Sequence, residues 1–122
     1  MNSKGVKELV IENYIVGYAK ERRFLVHKLN NSASDGWPDR LFVSPTGDHI
    51  YIEFKRKGEK LRPLQEYRIN ELCVRKCVVY VVDNREDGKH VIQYHQGNMD
   101  SEAISRKVRR NYDKTVRSGI TS

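Results

Sequence analysis

The stretch Ile50-Tyr51-Ile52-Glu53-Phe54-Lys55 decides how this chain is read. Side chains of a β-strand alternate between two faces. Ile50, Ile52 and Phe54 therefore share one apolar face, and Glu53 and Lys55 stand side by side on the other. Upstream, Gly36-Trp37-Pro38-Asp39 enters a second run, Asp39 to Ser44, that also reads as a strand. Pro38 sits at its entry, where a missing N–H does no harm. The turn Pro45-Thr46-Gly47-Asp48 joins the two runs, so they form a hairpin. One hairpin crossing separates Asp39 from Glu53.

Further out, residues 4–21 read as a helix in which Leu9, Glu12, Ile15, Val16 and Ala19 fall on one stripe. Glu12 is the odd member, because a carboxylate on an apolar stripe is costly to bury alone. It is either an edge residue paired with a lysine or arginine, or part of a site. Glu8, with Lys4 and Gly5 behind it, reads as more exposed. Phe24 to Leu29 is a first strand, followed by a polar loop from Asn30 to Trp37. Arg56 to Arg62 is a basic loop. Pro63 then opens a helix reaching about Lys76, with Gln65, Ile69, Leu72 and Cys73 on its inner face. The β-branched run Cys77 to Asp83 reads as a buried strand in a central or parallel position. A turn over Asn84 to Lys89, a short edge strand over Val91 to Tyr94 and a basic helix from Met99 to about Val116 complete the reading. The order α-β-β-β-α-β predicts a single α/β domain with a mixed sheet flanked by helices. Residues 1–95 form its core and residues 96–122 a basic extension.

The 122 residues suffice for one modest core. No segment approaches the roughly 18 apolar residues of a membrane span, and Met1 to Gly5 lacks the apolar stretch of a signal peptide. The expected location is therefore the cytosol, with no membrane partner. Cys73 and Cys77 are expected as reduced thiols, because the four histidines are too scattered to complete a zinc site. The net charge of +7 and pI near 9.5 favour a polyanionic partner. Eight Lys/Arg against three Glu lie between Lys55 and Lys76, and six against one Asp between Arg106 and Arg117. Either run alone reads equally well as a solvated face.

Two carboxylates and one ammonium at a point suit a hard divalent cation and phosphodiester chemistry. A lysine there can orient water, deprotonate it, or stabilise a charged transition state, and the sequence leaves these roles open. A Glu-x-Lys pair by itself is ordinary solvated charge. The hairpin spacing, the Gly-Trp-Pro-Asp entry, and the polar Gln65 and Glu12 on inward faces set this one apart.

These pieces together resemble the virus-type replication-repair nucleases, the VRR-NUC branch of the PD-(D/E)xK superfamily. The matching segments are Ile11-Glu12-Asn13-Tyr14-Ile15, Gly36-Trp37-Pro38-Asp39-Arg40-Leu41-Phe42, Ile52-Glu53-Phe54-Lys55, Arg62-Pro63-Leu64-Gln65 and Val79-Tyr80-Val81-Val82-Asp83, from about Lys7 to Asp83. Each motif is degenerate, but all of them in this order and spacing are specific. The resemblance implies a restriction-endonuclease-like core, dependence on Mg²⁺ or Mn²⁺, and no organic cofactor. It implies Asp39, Glu53 and the Phe54 carbonyl as metal ligands, Lys55 as the catalytic lysine, Gln65 as a supporting residue, and Glu12 as a first-helix acid that holds metal through water. Trp37 departs from the small or aliphatic residue expected between Gly and Pro. Small stand-alone members resemble phage proteins and act as homodimers on branched or structured DNA. Arg56, Lys57, Lys60 and Arg62 would then meet phosphates. Two other readings are a non-catalytic nucleic-acid-binding module on an old nuclease core, and a protein-interaction domain whose basic tail binds an acidic partner.

Overall fold

A computed structural model describes residues 5–29 and 36–97. Much of the polar loop expected after the first strand, and the basic helix expected from Met99, lie outside the described residues. The elements are α1 (Val6–Glu21), β1 (Leu25–Lys28), β2 (Arg40–Val43), β3 (His49–Phe54), α2 (Pro63–Val74), β4 (Val78–Val82) and α3 (Arg85–Gln96). The strands form one four-stranded sheet in the order β1-β2-β3-β4. β1, β2 and β3 pair antiparallel, and β4 joins β3 parallel. This is the mixed sheet flanked by helices that the sequence predicts. β4 is parallel as expected, but it lies at the sheet's end rather than its centre.

Strand alternation divides the core into two layers. On one face Phe42, Ile50, Ile52, Phe54, Tyr80 and Val82 pack against Ile15 and Ala19 of α1 and Val91 and Ile92 of α3. On the other, Val79 packs with Ile69, Leu72 and Cys73 of α2, and Tyr51 and Val81 join this layer half-buried. Glu53 pairs with Val81 in the β3–β4 register and so lies on the α2 side of the sheet. Both cysteines are free thiols, Cys73 buried and Cys77 half-buried.

The last element corrects the sequence reading. The expected turn over Asn84 to Lys89 and edge strand over Val91 to Tyr94 are instead the cap and body of the helix α3, Arg85–Gln96. Asn84 caps it by accepting the Asp87 N–H at 2.8 Å, Glu86 and Asp87 lie in its first turn, and Gly97 closes it with φ at +96°. Its buried positions Gly88, Val91, Ile92 and His95 follow helical spacing. The Val-Ile-Gln-Tyr run mimics a strand only when read without those caps. His95 then fastens the helix end to the sheet. Its Nε2 lies 2.9 Å from the Tyr80 hydroxyl, and its Nδ1 lies 2.9 Å from Asp48 Oδ2 in the β2–β3 turn.

α1 and α3 approach closely at Gly88. A Cβ built there would lie 2.6 Å from Ile15 Cδ1, 2.7 Å from Ile15 Cγ1 and 3.3 Å from Val82 Cγ1. Ile15 is fully buried and has little room to yield. Gly→Ala within a helix normally gains up to about 1 kcal/mol. Gly88→Ala is expected to lose about 1–3 kcal/mol through overpacking instead, seen as a lower urea midpoint at unchanged slope.

Candidate active site

The β2–β3 hairpin builds the site. Its register sets Arg40 opposite Ile52, and one further step places Asp39 level with Glu53. The Asp39 carboxylate accepts the Phe54 N–H through Oδ2 at 2.8 Å, and the Asp39 carbonyl accepts the Leu29 N–H at 3.0 Å. Asp39 is thus fixed to both neighbouring strands, with its acid against the peptide that joins Glu53 to the Phe54–Lys55 pair. Glu53 is 2% exposed and Lys55 is 4% exposed. The Lys55 ammonium lies 3.7 Å from Glu53 Oε2 and 4.0 Å from Glu59 Oε2, and its backbone N–H donates to the Val82 carbonyl at 2.9 Å. The geometry therefore gathers Asp39, Glu53, Phe54 and Lys55 at the end of β3.

Gln65, on the first turn of α2, uses both ends of its amide. Its Nε2–H donates to Glu53 Oε2 at 3.0 Å, and its Oε1 accepts the Arg62 N–H at 2.9 Å. One side chain thereby completes the helix start and orients the carboxylate. Glu12 is buried on α1, where its Oε2 accepts from Arg40 Nε at 2.7 Å. It ties α1 to the residue beside Asp39.

Several participants escape the sequence reading. Glu8, expected to be exposed, is 8% exposed. It lies on the same buried stripe as Glu12, Ile15 and Ala19, so counting the helical period back from Ile15 would have found it. Glu8 hydrogen-bonds Glu59. This bond holds the Glu59 carboxyl below its usual range, helped by the Arg56 N–H and the charges of Lys55 and Arg56, and opposed by partial burial. Glu59 lies four residues after Lys55 and is the acid of the basic loop. Around it, Lys7, Arg56, Lys57 and Gly58 line an open cleft of about 380 Å³. Arg56, Lys57, Lys60 and Arg62 are all exposed.

Among the described residues no three His, Cys, Asp or Glu side chains converge as a closed metal cage. The donor set nevertheless fits Mg²⁺, which is commonly held by one or two carboxylates and completes its shell with water and phosphate oxygens. Asp39 and Glu53 supply the two hard carboxylates, with the Phe54 carbonyl immediately after Glu53 in sequence.

The Glu12–Arg40 pair is largely buried, with side chains 3% and 17% exposed. Removing one partner of such a pair leaves a desolvated charge. Arg40→Ala is expected to cost roughly 3 kcal/mol, and the double change Glu12→Leu with Arg40→Met should recover most of that loss in chemical denaturation.

No protein-family model matches the sequence. The chain is 30% identical over 81 residues to "Putative nuclease p44" of Acyrthosiphon pisum secondary endosymbiont phage 1, which spans 66% of this chain and 87% of that protein. A solved structure described as a VRR_NUC domain superposes with a TM-score of 0.66 at 25% identity, over 74% of this chain and 98% of the other. With the hairpin-built acids and the mixed sheet, these likenesses place the chain in the VRR-NUC family of nuclease domains.

Proposed function

We propose that this nuclease is a Mg²⁺-dependent DNA endonuclease, with Mn²⁺ as a substitute, acting on branched or structured DNA as a homodimer. The observation that carries this reading is the placement of Asp39 and Glu53 about the Phe54 peptide, with the Lys55 ammonium against Glu53. Asp39, Glu53 and the Phe54 carbonyl would hold the cation, and Glu12 would reach it through water. When bound, the ion polarises water and neutralises charge on the phosphate.

The chain's own groups supply the rest. Asp39 is pinned by the Phe54 amide and Glu53 by Gln65, so neither acid must reorganise when substrate arrives. Lys55 is held between Glu53 and Glu59, where its charge faces the position of the attacked phosphate. From there it orients the attacking water or stabilises the transition-state charge. Arg56, Lys57, Lys60 and Arg62 follow β3 on the exposed surface and would neutralise flanking phosphates. A single small core grips little duplex, and two-fold pairing would double its basic footprint and set one site on each strand.

Labelled linear, flapped, splayed and four-way DNA, each with Mg²⁺, Mn²⁺ or EDTA, tests catalysis and geometry together. Cleavage with either metal and none in EDTA is expected. Glu53→Ala and Lys55→Ala should each lower the rate by at least roughly 10²–10³-fold while circular dichroism shows a folded protein. Full activity in both variants refutes the assignment. Salt-sensitive binding without cleavage under any metal would instead favour a non-catalytic binding module.

A further inference from the structure

We infer that Trp37, in the segment before β2, together with Tyr67 and Arg68 near the start of α2, forms a platform on which an unpaired base of the DNA stacks. The inference rests on the nuclease reading of the neighbouring carboxylates and names the feature of the substrate that this surface would recognise.

The platform is built and fixed. Gly36 adopts φ of +76°, and a Cβ there would lie 2.6 Å from the Leu64 carbonyl oxygen. Only glycine allows this approach, which seats the segment leading to Asp39 directly on α2. Trp37 follows, half-buried, with the Arg68 guanidinium carbon 5.1 Å from its ring centroid. The same guanidinium lies 5.7 Å from the Tyr67 ring. Glu71 holds both neighbours, one with each oxygen. Oε1 meets Arg68 Nη1 at 2.7 Å, and Oε2 accepts the Tyr67 hydroxyl at 3.0 Å.

Core packing accounts for the inner side of Trp37, which rests on the α2 layer, but not for Tyr67 and Arg68. The buried face of α2 is Gln65, Ile69, Leu72 and Cys73. Tyr67 lies off that face and is 56% exposed, and Leu64, one turn earlier, is 44% exposed. An exposed tyrosine ordinarily keeps its rotamer freedom. This one is anchored by its hydroxyl while its ring stays in water, beside a guanidinium whose charge Glu71 balances. Aromatic faces beside arginine planes are what bases stack on in single-stranded DNA recognition.

Position and charge select the occupant. Gln65, two residues before Tyr67, touches Glu53, and Trp37 lies two residues before Asp39. Tyr67 and Arg68 therefore stand on the same first turns of α2 as the residue that holds Glu53, and Trp37 on the segment that leads to Asp39. Exposed Lys60 and Arg62 lead into the same helix end, so a strand whose base rests on Tyr67 would have its phosphates among cations. Paired bases offer no free face, so the platform favours DNA that presents an unpaired nucleotide at the scissile position.

The chain contains one tryptophan, so its intrinsic fluorescence reports on Trp37. The full-length protein in EDTA is titrated with a dT oligonucleotide, an abasic strand of equal length and charge, and a blunt duplex. The dT strand is expected to quench Trp37 and bind roughly tenfold more tightly than the abasic strand. Tyr67→Ala should close most of that gap, and Tyr67→Phe should keep it. Equal affinity of wild type for the dT and abasic strands overturns the platform, as does a Tyr67→Ala variant that keeps the full gap. Cleavage with Mg²⁺ is scored separately on the same DNAs. A wild type that cuts nothing but still prefers the base-bearing strand overturns the hydrolytic reading and upholds the platform. A wild type that cuts without that preference overturns the platform alone.

Discussion

The Asp39 carboxylate takes the amide hydrogen of Phe54 across 2.8 Å, and the arrangement of the site follows from that contact. In a regular antiparallel pair, a backbone carbonyl would receive that hydrogen. Here β2 begins only at Arg40, and the Asp39 side chain takes the carbonyl's place at the head of the ladder. The acid is thus positioned by sheet register rather than by a mobile rotamer. A slip of one residue would turn Glu53 and Lys55 toward α1 and drive Ile52 and Phe54 toward α2. The apolar layer that forbids the slip, with Ile50, Ile52 and Phe54 fully buried, therefore also holds the acids in place.

Burying Glu53 and Lys55 on one face is tolerable because each has partners of opposite charge or hydrogen-bonding groups nearby. A run of polar side chains extends along this edge, from Gln65 through Glu53 and Lys55 to Glu59 and Glu8. Next to Asp39 in sequence, Arg40 forms its own pair with Glu12. The buried Gln65, Glu53, Lys55 and Glu8 thus belong to one connected set, joined through the exposed Glu59. Concentrated departures from local pattern are expected where a fold carries chemistry.

Most of this was legible in the residues. The alternation in Ile50 to Lys55, the Pro-Thr-Gly-Asp turn and the Pro63 helix start are local signals, and they predict the hairpin, the shared face of Glu53 and Lys55 and the inward place of Gln65. What escaped the reading depends on context. Val91 to Tyr94 has the side chains of a strand, and only the Asn84 cap and the Gly97 terminus make it helical. Glu8 sits on the buried stripe of α1, but its partner Glu59 comes from a loop more than fifty residues later, a pairing that no local pattern announces. Trp37 looked like an isolated departure in its motif because its partner, Arg68, lies on another element.

Gln65 couples two events that are usually separate. Its oxygen holds the backbone at the start of α2 and its nitrogen holds Glu53. Helix ends are among the first parts of a domain to open and exchange their amide hydrogens. Each time this turn unwinds, the carboxylate loses its amide support in the same motion. The breathing of one helix end thus sets an upper limit on how long the acid stays aligned between openings.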